Sequence, residues 1–132
     1  MSRILSRFEP HAYAAVRIVV GSLFMFHGLQ KWGLLGGTAS DFGTLRWVAG
    51  AIEGIGGPLI MFGLFTVPTA FLCSGQMAVA YFLSHQPRDL WPIQNGGELS
   101  ALYSFAFLYI ATRGAGMCSI DGSRGAKTEV PQ

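Results

Sequence analysis

Long apolar runs, separated by short polar stretches, limit the folds that are open to this sequence. The first extends over about 12–31, and about 20 residues of helix are roughly 30 Å long, which is the thickness of the hydrocarbon core of a bilayer. Three further runs lie at about 45–65, 68–84 and 97–112. We therefore predict an all-α fold, a membrane-embedded antiparallel four-helix bundle in a single domain, with a polar tail over 113–132.

Composition favours a bilayer, rather than a protein core, as the surroundings of these runs. The chain has 132 residues, of which 51% are hydrophobic and 12% are charged, whereas an ordinary soluble domain has about 25% charged residues. A protein of this size has too much surface for its volume to bury so many apolar side chains. Residues 98–112 also show almost no polar face at helical spacing. The lipid bilayer is therefore a predicted partner.

The distribution of lysine and arginine predicts the orientation in that bilayer. An even number of spans places both termini on one side, and the side richer in these residues is cytoplasmic. The terminal segments carry Arg3, Arg7, Arg113, Arg124 and Lys127, with Arg17 nearby. The opposite side carries Lys31, Arg46 and Arg88. We predict a multi-pass protein with both termini in the cytoplasm. Nucleic acid is not an expected partner, because the net charge of +2 is small and no basic stripe follows a phosphate backbone.

Ionisable residues gather at one depth of the predicted bundle. His27 and Lys31 end the first span on its outer side, and Glu53 lies in the outer half of the second. His85 ends the third span there, and Glu98 begins the fourth. An ionisable residue inside a bilayer costs about 2.5–3.5 kcal/mol, so such residues usually face the bundle interior and are paired. We predict that these five residues form a polar cluster able to bind a ligand.

Each member of this polar cluster also has a structural interpretation. The two histidines could lie at the interface with satisfied hydrogen bonds, and Lys31 could extend to lipid phosphate. Glu98 could form a capping box with Asn95, which would satisfy free N–H groups at the start of the fourth helix. Glu53 is the hardest to explain in this way, because it is too deep for easy hydration and needs either a partner or a proton. Its candidate partners are the histidines and Lys31.

Other local patterns predict packing and connections. Gly50 and Gly54 have the spacing that lets helices approach closely in lipid. Arg17, one to two turns into the first span, is interpreted as an anchor that extends to lipid headgroups. Residues 65–68 are predicted to form a tight turn, as is the Asp121–Gly122 pair. The polar stretch 84–103 is predicted to form a structural loop whose notable members are Trp91, an interface anchor, and Asn95, Gly96 and Gly97.

The sequence carries no recognisable redox centre of its own. Cys73 and Cys118 are far apart and form no CxxC pair. There is also no CxxCH haem motif, no iron–sulfur cysteine set and no dinucleotide-binding glycine loop. If the chain takes part in electron transfer, the electrons must come from a partner protein.

Taken in order, these patterns resemble the DoxX family of small bacterial membrane proteins. The first span ends in H-G-x-x-K over His27–Lys31, and the second carries E-x-x-G-G over Glu53–Gly57. The polar loop carries W-P-x-x-N-G-G-E-L over Trp91–Leu99. The resemblance extends into the tail through Gly114, Gly116, Ser119 and Asp121. The ordered set, rather than any one pattern, carries the specificity.

The resemblance implies an inner-membrane protein with a redox connection. The family takes its name from proteins associated with quinol oxidase and thiosulfate:quinone oxidoreductase systems, and members are linked to oxidative-stress complexes at the membrane. Other membrane protein subunits are therefore implied partners. The resemblance supplies neither a reaction nor a catalytic residue, so whether the chain is an enzyme stays open.

Two functions are compatible with these features. In the first, the chain is a membrane component of a quinone-linked redox or oxidative-stress system. His27, Glu53 and His85 would then serve a quinone by hydrogen bonding and proton transfer. In the second, it is a non-catalytic accessory subunit packed against a larger membrane complex. A metal site of His27, Glu53, His85 and Glu98 has suitable ligand types but no supporting spacing, so no metal is predicted. A transporter would be expected to show inverted repeats, which the sequence lacks.

Overall fold

A computed structural model describes residues 2–125, and every regular element in that range is helical. The chain opens with α1 (Ser2–Leu5) and a 3₁₀ turn (Ser6–Phe8). The long helices follow as α2 (Glu9–Lys31), α3 (Leu45–Phe62) and α4 (Thr66–Ala80), the last of which continues through a π-helical turn (Tyr81–His85). The remaining helices are α5 (Pro92–Asn95), α6 (Glu98–Arg113) and α7 (Ile120–Gly125). The prediction of an all-α fold is confirmed.

The long helices agree closely with the apolar runs. Helices α2, α3 and α6, and α4 with its π-helical turn, begin and end within three residues of the four predicted spans. Two helical segments, Ser6–Lys31 and Thr66–His85, are long and apolar enough to cross a membrane when judged by length and composition alone. Helices α3 and α6 are shorter than these two segments, with 18 and 16 residues.

Local chemistry explains where the long helices begin and end. Proline stands in the first turn of α2, where its missing N–H costs no hydrogen bond. The Thr44 side chain accepts a hydrogen bond from the Trp47 N–H and caps α3. Gly63, with φ of +67°, ends α3 in the left-handed conformation that favours glycine. The turn between α3 and α4 is therefore Gly63–Phe65, and the prediction of a turn over 65–68 is shifted because Thr66 already begins α4.

Glycine contacts bring the backbones of α2 and α3 together. A Cβ on Gly28 would lie 2.7 Å from the Cα of Gly54, and a Cβ on Gly21 would lie 2.7 Å from the carbonyl oxygen of Gly57. Because residues later in α2 meet residues earlier in α3, the two helices run in opposite directions. Close backbone packing of this kind holds helices together where water supplies no hydrophobic force.

Helices α4 and α6 form a second closely packed pair. The hydroxyl of Ser74 donates to the Ser104 carbonyl at 2.8 Å, and the hydroxyl of Ser104 donates to the Ser74 carbonyl at 3.1 Å. Aromatic rings fill the space between this pair and α2. The Phe24 ring lies 4.6 Å from the Phe107 ring and 5.3 Å from the Tyr103 ring, measured between centroids. The core of the molecule lies among these side chains.

Candidate functional site

Glu53 is a buried carboxylate held by two neighbouring helices. Its side chain is 2% exposed. The ammonium group of Lys31, in the last turn of α2, forms an ion pair with the Oε2 atom of Glu53. The amide Nε2 of Gln76, in α4, donates to the Oε1 atom at 3.1 Å. The glycines explain why this pair can form, because a Cβ on Gly50 would come within 3.0 Å of the Lys31 Cβ.

Two histidines lie at the same end of the helices as Glu53. His27 is one turn before Lys31 on α2 and half-buried, and its ring meets the Tyr103 ring edge-on at 6.0 Å between centroids. His85 ends the π-helical turn after α4, and its Nδ1 lies 3.3 Å from the Asn95 carbonyl oxygen. Both histidines are therefore in place to share one cavity with Glu53.

That cavity has a volume of about 210 Å³. Its polar lining comes from α2, α3, α6 and the turn after α4, and its apolar lining comes from α2, α4 and α6. The lining residues are Phe24, His27, Lys31, Glu53, Met77, His85, Gly96, Leu99 and Ser100. Four of the five residues of the predicted polar cluster thus lie around one space.

Glu98 is the predicted cluster member that lies elsewhere. It is exposed at the first position of α6, and the cavity is lined by its neighbours Leu99 and Ser100 instead. The expected capping box with Asn95 is also wrong, because Gly97 is the residue that precedes α6 and no side chain caps that helix.

Asn95 instead organises the loop between α4 and α6. Its side chain is buried, its Nδ2 donates to the Asp89 carbonyl at 3.0 Å and to the Tyr81 hydroxyl at 3.3 Å, and its Oδ1 accepts from the Gly97 N–H at 2.7 Å. These bonds fix the peptide that faces His85. The predicted structural loop is partly helical, since α5 occupies Pro92–Asn95, and Gly96 follows with φ of +71°. Trp91 is 61% exposed.

Arg17 is the centre of a second polar site, and its predicted role as a headgroup anchor is wrong. Its side chain is fully buried. The guanidinium donates to the carbonyls of Ile60 at 2.6 Å and Met61 at 2.7 Å in the last turn of α3, and to the carbonyl of Cys118 at 2.7 Å in the tail. A cation that binds the carbonyls at a helix C-terminus is stabilised by the helix dipole. The sequence feature that could have pointed to a buried role is the position of this arginine well inside an apolar run.

Asp121 completes this second polar site from the tail. The predicted Asp121–Gly122 turn is wrong, since both residues lie in α7. The carboxylate accepts from the Phe65 N–H at 3.1 Å, and from the N–H and hydroxyl of Thr66 at 2.8 Å each. Burial by itself raises the pKa of Asp121, but the hydrogen bonds from Thr66 and Phe65 outweigh it, so the pKa lies below its ordinary value. Asp121 thus caps the first turn of α4 with a negative charge.

Two further observations define which site could hold a ligand. A larger groove of about 510 Å³ lies between α2, the end of α3 and α7, but the residues within 2–125 that line it are mostly apolar and include no histidine, lysine or carboxylate. Within residues 2–125, no group of three or more His, Cys, Asp and Glu side chains is placed to hold a metal ion. The cavity around Glu53 is therefore the candidate site.

Comparison with known proteins places the chain in a family. The DoxX family model matches residues 12–86. An uncharacterized protein of Haemophilus influenzae is 41% identical over 125 residues, which cover 89% of this chain and 93% of that protein. A Bacillus subtilis (strain 168) protein with the name "Putative oxidoreductase CatD" is 40% identical over 57 residues, which cover 39% of this chain and 42% of that one. No solved structure matches.

The family match and the two apolar helical segments indicate a membrane protein. The matched region contains α2 from residue 12 onward, all of α3 and α4, and the π-helical turn. It therefore includes His27, Lys31, Glu53 and His85 of the cavity. Since the family model covers more than half of the sequence, the chain belongs to the DoxX family.

Proposed function

We propose that this chain is an antiparallel four-helix bundle embedded in the bacterial inner membrane. The support is the apolar surface of all four long helices. Val19 on α2, Ile55 on α3, Phe71 on α4 and Phe105 on α6 are 54%, 59%, 68% and 72% exposed. Large apolar patches are rare on soluble monomers, whereas a bilayer covers such a surface.

The proposed orientation places both termini in the cytoplasm. It is supported by the excess of lysine and arginine in the terminal segments over the opposite connections. Of those terminal residues, Lys127 lies outside the described part of the chain. In this orientation the cavity around Glu53 lies near the periplasmic face, and the site around Arg17 lies nearer the cytoplasm.

We further propose that the cavity holds the head group of a quinone and that the chain is a membrane component of a quinone-linked redox system. The observation that carries this proposal is the meeting of Glu53 and two histidines with the apolar walls formed by Phe24 and Met77. Small-molecule sites combine an apolar lining with a few convergent polar groups in this way. Quinone reduction also takes up protons, for which His and Glu side chains are suited.

The size of the cavity supports a single ring rather than a larger ligand. Its volume of about 210 Å³ lies below the range of roughly 300–1,000 Å³ typical of drug-sized ligands. Leu99, at the rim, is 48% exposed, so an isoprenoid tail attached to the ring would extend into lipid. The name of the Bacillus subtilis relative supports a redox role without naming a substrate.

A second candidate function is that of a non-catalytic accessory subunit in a larger membrane complex. The observation that favours it is that both oxygens of Glu53 already have partners within the chain, Lys31 and Gln76. A satisfied network of this kind can serve as internal bracing between three helices. The cavity would then have no ligand of its own.

Binding and electron transfer test the first function. We expect the full chain in lipid nanodiscs to bind a short-chain benzoquinone. In native membranes, Glu53→Gln and His85→Gln should slow quinone-dependent electron transfer about tenfold or more with assembly intact, because the glutamine amide cannot take up or release a proton near neutral pH. Glu98→Gln and His11→Gln are the matched controls, since both residues are exposed. Absence of benzoquinone binding would refute the quinone site, and loss of assembly in the Glu53 and His85 variants would favour the accessory subunit.

A further inference from the structure

We propose that the cavity binds the reduced, hydroxyl-bearing form of the ring, a hydroquinone, more tightly than the oxidised quinone. This inference rests on the proposed function and adds a preference between redox states. It follows from which hydrogen-bond donors and acceptors at the cavity have no partner within residues 2–125.

His85 supplies a free acceptor at the cavity. Its Nδ1 lies 3.3 Å from the carbonyl oxygen of Asn95, and a carbonyl oxygen can only accept a hydrogen bond. Nδ1 therefore carries the proton, and Nε2 of the neutral ring is left as an acceptor. The carbonyl is held in place because the Asn95 side chain is bonded to Asp89, Tyr81 and Gly97.

Gln76 holds Glu53 from the neighbouring helix α4 and does not itself line the cavity. Its Nε2 donates to the Oε1 atom of Glu53 at 3.1 Å, and this orientation of the amide is required because a carboxylate only accepts. The Oε1 atom of Gln76 is buried and has no hydrogen-bond partner in the described part of the chain. Because Gln76 does not line the cavity, His85 is the acceptor on which the preference between redox states rests.

His27 and Ser100 add groups that can both donate and accept. Their side chains line the cavity, and neither side chain has a hydrogen-bond partner among the residues that the structure describes. Lys31 adds further donors, because an ammonium group has three N–H bonds and one oxygen of Glu53 occupies only one of them.

The two redox forms of the ring satisfy these groups differently. The donors are satisfied by either form, because a hydroxyl oxygen and a carbonyl oxygen both accept. The acceptor of His85 is satisfied only by a hydroxyl, because a quinone carbonyl has no proton to give. One such hydrogen bond favours the hydroquinone by about tenfold. A tenfold preference for the reduced form raises the two-electron midpoint potential of the bound ring by about 30 mV.

The test compares two probes that differ only in redox state. The full chain in nanodiscs is titrated under anaerobic conditions with 2,3-dimethoxy-5-methyl-1,4-benzohydroquinone and with the corresponding benzoquinone. We expect the hydroquinone to have a Kd about tenfold lower. His85→Phe removes the acceptor and keeps an aromatic ring, so the ratio of the two Kd values should fall to about one. His85→Gln keeps an acceptor and should preserve the ratio, as should the exposed control His11→Phe.

The outcomes separate this inference from the proposed function. Equal binding of the two probes, or tighter binding of the benzoquinone, overturns the inference and leaves the quinone site intact. A tenfold ratio that survives His85→Phe overturns the assignment of the preference to His85. Binding of neither probe refutes the proposed function and this inference together.

Discussion

Two charged residues, Arg17 and Glu53, are buried in this protein, and each needs partners for its charge. Glu53 is nearly fully buried beside a lysine, whereas Arg17 is fully buried and bonded to backbone carbonyls. Carbonyl oxygens at the end of a helix lack intrahelical donors, and in an apolar setting each costs free energy if it stays unpaired. Arg17 therefore donates hydrogen bonds both to the last turn of α3 and to the tail.

Replacing Arg17 should destabilise the fold far more than replacing an exposed arginine. We expect Arg17→Gln to lower the free energy of unfolding by at least about 2 kcal/mol, because several carbonyls lose their donor. Arg113→Gln is the matched control. It removes a partly exposed ion pair with Glu9 and a contact with the Tyr13 ring, and it should cost much less than Arg17→Gln because exposed ion pairs contribute little. Thermal unfolding in detergent micelles measures both. Equal losses would contradict the role assigned to Arg17.

At the scale of helices, two kinds of contact hold the elements together. Glycines join α2 to α3, and reciprocal serine hydrogen bonds join α4 to α6. Neither the glycine contacts nor the serine hydrogen bonds depend on the release of water from apolar surface. Both can therefore hold helices together inside a bilayer. Arg17 and Asp121 stabilise the turn between α3 and α4. The positive charge of Arg17 lies at the C-terminal end of α3, and the negative charge of Asp121 lies at the N-terminal end of α4, which are the signs that the helix dipoles favour.

The glycine contact predicts an effect of adding one methyl group. In Gly28→Ala the new Cβ would lie 2.7 Å from the Cα of Gly54, so α2 and α3 must move apart. Overpacking of this kind costs about 1–3 kcal/mol. Gly75→Ala on α4 is the matched control, because nothing lies within 4 Å of a Cβ there, and alanine is the better helix former by about 1 kcal/mol. A Gly28 variant as stable as the Gly75 variant in detergent unfolding would contradict close packing of α2 on α3.

The cap that Asp121 provides on α4 predicts a dependence of stability on pH. Because the pKa of Asp121 is lower in the folded protein, its contribution is fully present above the ordinary aspartate pKa of about 3.9 and is lost as the pH falls through the lower, folded value. We expect the difference in melting temperature between the wild type and Asp121→Asn to shrink as the pH falls from about 7 to about 3. Asp41→Asn, in the exposed connection before α3, is the control and should follow the wild type. A constant difference across this range would argue against the cap.

At the scale of the whole molecule, the proposed orientation can be tested with the cysteines already present. Cys118 is exposed in the tail and Cys73 is buried between helices. A membrane-impermeant maleimide should label Cys118 in inverted membrane vesicles, where the cytoplasmic face is outside. It should not label Cys118 in intact spheroplasts. Cys118→Ser should abolish the labelling, because Cys73 is inaccessible. Labelling of spheroplasts at Cys118 would place the tail in the periplasm.

The sequence anticipated part of the candidate site. His27, Lys31, Glu53 and His85 were predicted to meet, and the structure brings them around one cavity, although their binding role stays a prediction. The contributions of Gln76 and Ser100 were missed. A polar side chain on one apolar helix gives no sign of which neighbour it faces, and Glu98 shows the converse, because it lies at the right depth and points away from the cavity.

The four long helices, their bounds within three residues and the family were predictable from the sequence, because an apolar run of span length and an ordered set of motifs are local properties of a chain. The short helices α5 and α7 were predicted as a loop and a turn. Which side of each helix faces the others could not be predicted in this way. A helix that is apolar on every side has no polar face to set its rotation, so that rotation follows from contacts between helices. Glycine approach between α2 and α3 placed Lys31 against Glu53, and the return of the tail onto the α3–α4 turn buried Arg17.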